Sequence, residues 1–160
     1  MSQSETGTVD TSGPRKIYPP ALAGILLLGG LFLHLTSGHH RHLVHLHQLL
    51  GLLLVTGGVG LIFYAAALFA ARDTTKNPYG EPTEFVLNVP YTFTRNPMYV
   101  GLTTVLLGFA VFFGSFVMLL APIVFVLVID RALIPHEEKT LERLFGQQYL
   151  DYKTRVRRWL

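Results

Sequence analysis

Three short stretches of this sequence carry the residue types that chemistry needs. The first is YTFTRNPMYVG at residues 91–101, where two tyrosines bracket an Arg-Asn-Pro step at the start of an apolar run. Asn96 followed by Pro97 reads as a helix start, with Asn as N-cap and Pro at the first helical position. Such a terminus can offer N–H donors to a polar ligand; more plainly, it can be a capped helix beneath an interfacial tyrosine belt. The second stretch combines Asp130-Arg131 with His136-Glu137-Glu138 at the end of a long apolar segment. Carboxylates at that depth are costly and face a partner or a watery cavity. Pro135 stands just before the two glutamates, and acidic residues favour a helix's first turn, which accounts for one of them without any function. Arg131 can snorkel to the interface and orient an anion, while Glu138 or His136 can take up a proton. The third stretch, HHRHLVHLH at residues 39–47, sets His42 and His45 on one helical face, a spacing open to metal or to a plain polar turn.

The rest of the chain says where these groups must sit. It has 160 residues, room for one domain, with 50% hydrophobic and only 14% charged. That balance points to the bilayer rather than to water. The net charge of +3 comes from cations at the ends and in one loop, without a zinc-finger, RNP or helix-turn-helix pattern, so nucleic acid is not the expected partner. Cysteine is absent, which excludes disulfides and thiol chemistry. Residues 1–16 are polar and read as a disordered tail ahead of one membrane domain, residues 17–160. Apolar stretches at 17–36 and 49–71 are each long enough to span. Residues 72–96 form a polar loop of functional length.

From residue 97 to 129 no charge appears, a run too long for one span and short for two. A tight hairpin of two short helices turning near Gly114 and Ser115 fits it. Leu141, Leu144, Phe145, Tyr149, Tyr152 and Val156 then recur at helical spacing among charged residues, the pattern of an amphipathic surface helix. The expected fold is therefore an all-α membrane protein of four transmembrane helices, the last two a short hairpin, plus a C-terminal amphipathic helix. With four spans, nearly all Lys and Arg fall on one side and Arg41 on the other, so both termini are expected in the cytoplasm. GGVG at residues 57–60 reads as close helix packing through small residues.

With its elements in order, the pattern VPYTFTRNPMYVG, a helical hairpin and EEKTLERLFGQQYLDYKTRVRRWL resembles the integral-membrane methyltransferases, the isoprenylcysteine carboxyl methyltransferases and phospholipid N-methyltransferases. The resemblance spans roughly residues 83–160. It implies S-adenosylmethionine as cofactor, with Phe85, Val86, Tyr91, Asn96, Pro97, Met98 and Tyr99 lining its pocket and Glu137 meeting its amino group. It also leaves Gly58 and Gly60 as further candidate contacts. Two positions depart from the family pattern: Asn96 stands where His is usual, and Leu133 where the carboxyl methyltransferases carry a substrate-binding Arg. Arg131 is the nearest cation and the candidate catalytic residue. The expected reaction is methyl transfer to a membrane-borne, lipid-like or prenylated amphiphile, with an isoprenylcysteine-like carboxylate favoured over a phospholipid amine. A nicotinamide-dependent membrane reductase and a metal-binding or scaffolding protein built on the histidine tract are the alternatives; Leu102 stands where the reductases tend to carry Glu.

Overall fold

Prolines open three of the helices. Pro19, Pro97 and Pro135 each sit in a first turn, where φ is already suitable and the missing N–H has no partner to lose. The computed structural model describes residues 17–37, 46–70 and 89–160. The expectations for residues 1–16, for Phe85 and Val86, and for most of the histidine tract lie outside that set. Every element in the described residues is helical: α1 (Pro19–Thr36), α2 (Leu46–Ala70), α3 (Pro97–Phe112), a 3-10 turn (Val117–Leu119), α4 (Leu120–Val128), a π segment (Ile129–Leu133), α5 (Ile134–Phe145) and α6 (Gln147–Arg155).

Helices α2 and α3 lie antiparallel in backbone contact. A Cβ on Gly51 would fall 2.5 Å from the Phe112 nitrogen, and one on Gly58 would fall 2.7 Å from the Gly101 carbonyl oxygen. From the other side, a Cβ on Gly108 would meet the Val55 nitrogen at 2.8 Å. Two glycines seven residues apart on each helix thus form the seam, the close approach that small residues permit between apolar helices. Gly57 and Gly60 have nothing near them, so of the GGVG step Gly58 takes part in this packing. The expected turn is present: Gly114 adopts φ +60, and the Met118 N–H donates to Ser115 Oγ. Helix α1 rests against α3, α4 and the 3-10 turn, Gly30 meeting Met118. The core between them is built on Tyr99, Leu106, Phe125, Ile129 and Ile134, with Ile17 and Trp159 both packed onto it.

Ile25, Leu28 and Phe32 on α1, Leu53 and Phe63 on α2, and Leu120 and Ile123 on α4 are exposed. So much uncovered apolar surface suits contact with lipid chains. Among the described residues, three helical runs, Pro19–Thr36, Leu46–Leu68 and Val117–Phe145, are long and apolar enough to cross a membrane. Helix α3 is apolar but has 16 residues, a rise of about 24 Å against a hydrocarbon core of about 30 Å.

Two features depart from the simple pattern. Pro135 cannot donate to the carbonyl four residues back, and the ladder widens there: the Ile134 N–H reaches the Ile129 carbonyl, five residues away. Asp130 and Arg131 lie inside this widened turn. The expected single terminal helix is divided into α5 and α6 at Gly146, whose φ of +50 a side chain would strain. Val156 then turns extended, and residues 156–160 fold back as a strap.

Candidate active site at the start of α3 and α5

Two motifs far apart in sequence meet at one hydrogen bond. The Tyr99 hydroxyl donates to Glu137 Oε1 at 2.6 Å, across 38 residues. Pro97 fixes the α3 start, so Tyr99 occupies its first turn and is buried against the core. Pro135 does the same for Glu137 on α5. The bond is short, and it fixes Oε1 against the hydroxyl.

Glu138, the next residue, has a different role. It is 6% exposed and surrounded by three cations. Arg158 grips it with two bonds, Nη2 to Oε2 at 2.8 Å and Nε to Oε1 at 3.1 Å. Arg95 Nη1 lies 3.2 Å from Oε1 and Lys153 Nζ 3.5 Å from Oε2. A carboxylate so engaged is held ionised and is poorly placed to act as a base. Asp130 is likewise occupied: Arg158 Nη1 donates to its Oδ1 at 3.2 Å and the Trp159 indole at 2.9 Å. The partner of Asp130 is therefore Arg158, not the adjacent Arg131.

The strap also ties down the loop before α3. The Arg95 N–H donates to the Arg157 carbonyl at 2.9 Å, and Thr94 Oγ1 and Asn96 Nδ2 both donate to the Arg158 carbonyl, at 3.1 and 2.9 Å. Asn96 precedes the helix as expected, yet its side chain binds the strap rather than capping α3. Tyr91 is buried beside Ala65 and Met98, and its carbonyl accepts the Tyr152 hydroxyl at 2.7 Å. Burial pushes the Tyr149 hydroxyl up to about 12, with the Glu138 charge adding to it, and burial raises Tyr91 and Tyr152 as well. All three tyrosines stay protonated at any physiological pH.

Of the residues singled out by sequence, Tyr91, Asn96, Pro97, Met98, Tyr99 and Glu137 gather around the α3 start and the first turn of α5. Arg131 and His136 are exposed. Gly58 is taken up by helix packing, and Gly60 lies in open space. Among the described residues no group of three or more His, Cys, Asp or Glu could hold a metal ion. Sequence reasoning passed over Arg95, Lys153, Arg158 and Trp159. In the sequence these cations mark only a membrane side, and no local pattern marks their convergence on Glu138.

The residues fit an amino-acid-like cofactor group. Glu137 is half-buried and suits an ammonium. The Arg95 guanidinium is buried, and its Nε has no hydrogen-bond partner, a donor suited to a carboxylate. The described fold and site define an all-helical integral membrane protein with a carboxylate–tyrosine pair at one end of its bundle. A family model described as phospholipid methyltransferase matches residues 46–148, more than half of the chain, and the chain belongs to that family. A protein of Haemophilus influenzae described as uncharacterized is 43% identical over 63 residues, which is 39% of this chain and 100% of that protein. No solved structure matches the chain.

Proposed function

We propose that this chain transfers a methyl group from S-adenosylmethionine to an amphiphile that reaches the site from the bilayer. The observation that carries this reading is the Tyr99–Glu137 hydrogen bond, which joins the Arg-Asn-Pro-x-Tyr step to the paired glutamates. In the proposed topology α3 makes a short fourth crossing, both ends of the chain face the cytoplasm, and α5 and α6 lie along the headgroup layer. The site then sits at headgroup depth.

S-adenosylmethionine supplies a methyl already activated on a sulfonium, so the protein's work is positioning and exclusion of water. In this reading Glu137 holds the cofactor's ammonium and Tyr99 fixes which carboxylate oxygen is presented. Arg95 takes its carboxylate, and Tyr91 and Met98 close the apolar side. The membership in a phospholipid methyltransferase family favours an amine acceptor. An amine must lose a proton; Glu138 is saturated by cations, and His136, exposed on the same turn, is the better base. A carboxylate acceptor needs no base, only a cation, and Arg131 on the π segment supports that second reading.

Calorimetric titration of detergent-purified protein with S-adenosylhomocysteine tests the cofactor, and absence of binding would sink the proposal. Methyl transfer to a phosphatidylethanolamine and to a prenylcysteine analogue, run side by side for wild type and Arg131→Gln, tests the acceptor. Loss of turnover on the prenylcysteine with unchanged S-adenosylhomocysteine affinity would assign Arg131 to a carboxylate substrate. Turnover on the phosphatidylethanolamine that ignores Arg131→Gln and rises with pH would assign an amine.

A further inference from the structure

We infer that Arg158 is a positioning residue for the Tyr99–Glu137 site, its guanidinium joining α5 to the π segment and its backbone carbonyl holding the loop before α3. The inference rests on the functional reading above for its consequence, though not for its geometry. The Arg158 guanidinium binds Glu138, next to Glu137 on α5, and Asp130 on the π segment. Its own carbonyl receives Thr94 and Asn96, which immediately precede the helix that carries Tyr99. The neighbouring Trp159 anchors the strap by its indole bond to Asp130 and by packing on the core beside Ile17. The spacing between α3 and α5, and with it the short Tyr99–Glu137 bond, is thus set by a contact some 60 residues further along the chain from Tyr99.

The chemistry selects Arg at this position. A planar guanidinium can present two donors to one carboxylate and a third to another at fixed angles, whereas a lysine ammonium is a point charge on a flexible stem. Arg95 and Lys153 already surround Glu138 with positive charge. Losing Arg158 therefore removes the orientation of Glu138 and the bridge to Asp130 more than it removes charge compensation.

The chain contains a single tryptophan, and it is Trp159, so intrinsic tryptophan fluorescence reports the strap alone. The experiment compares full-length wild type, Arg158→Ala, Arg158→Lys and Arg155→Gln in detergent. The last removes an exposed cation that touches neither acid. Three readouts are taken: Trp159 emission with acrylamide quenching, hydrogen exchange over residues 94–100, and S-adenosylhomocysteine affinity. Arg158→Ala is expected to shift Trp159 emission to the red, raise its quenching and speed exchange over residues 94–100. It should also weaken S-adenosylhomocysteine binding at least tenfold. Arg158→Lys should keep the fold and still lose several-fold in affinity, a failure of rescue that bulk positive charge would not produce. Arg155→Gln should match wild type throughout. Arg158 variants with wild-type fluorescence and exchange would overturn the inference, as would an undocked strap with unchanged affinity. Should wild type bind no S-adenosylhomocysteine, the methyltransferase reading fails by itself, and exchange over residues 94–100 still decides whether Arg158 positions the α3 start.

Discussion

Two glutamates one peptide bond apart on α5 have been given opposite tasks by their neighbours. Glu137 faces one tyrosine hydroxyl; Glu138 faces two arginines and a lysine. Glu137→Gln is expected to weaken S-adenosylhomocysteine binding by about 1.5–3 kcal/mol, the range for a hydrogen bond to a charged group, with little change in thermal stability. Tyr99→Phe removes the group that orients it and should cost affinity by a smaller amount, about 1 kcal/mol. Glu138→Gln should lower thermal stability more than Glu137→Gln does. It leaves the Arg95 guanidinium, 11% exposed, without its counter-ion, and breaking such a pair costs about 3 kcal/mol at the lower end of the buried range. The measurement is a pair of melting curves in detergent set beside a pair of titrations. Equal melting temperatures for Glu137→Gln and Glu138→Gln would refute this division of labour.

The element scale is governed by glycines and prolines. Because a Cβ on Gly108 would lie within 3 Å of the backbone of α2, Gly108→Ala should destabilise by about 1–3 kcal/mol through overpacking. Gly57→Ala and Gly60→Ala, with open space around them, should be neutral or gain up to about 1 kcal/mol from helix propensity. Thermal melting of the three variants checks the seam, and a harmless Gly108→Ala would disprove it. Local chemistry made much of this level legible in the sequence. Pro97 at the start of α3 and the turn at Gly114 follow from dihedral preferences that neighbouring residues declare. The division at Gly146 could have been read the same way, but a continuing helical pattern of apolar residues across it masked the glycine. The strap was not legible, because Thr94 and Arg158 are 64 residues apart and nothing in either stretch names the other. For the same reason the roles of Asn96 and Glu138 came out differently from a motif-by-motif reading: each is set by a partner from the far end of the chain.

For the molecule as a whole, the packing of Ile17 and Trp159 onto one core cluster brings the first and last described segments to the same end of the bundle. Absence of native cysteine allows a direct check of the proposed orientation. Thr154→Cys should be shielded from an impermeant thiol reagent in intact cells, while Ser37→Cys, exposed at the opposite end of α1, should react. Reversed labelling would overturn the positive-inside assignment. The widened turn at Ile129–Leu133 also bears on the whole architecture, through angular phase. Two residues eight apart on an unbroken α-helix point about 80° away from each other. Asp130 and Glu138 are eight apart, yet a single guanidinium reaches both. The wide turn takes up extra residues per revolution, rotating the half of the helix that carries Asp130 relative to the half that carries the glutamates until both acids face the strap. Pro135 is thus a clutch between two rotational settings of one long helix. An insertion or deletion of one residue near it would leave every motif intact in the sequence and still swing the acids out of common reach.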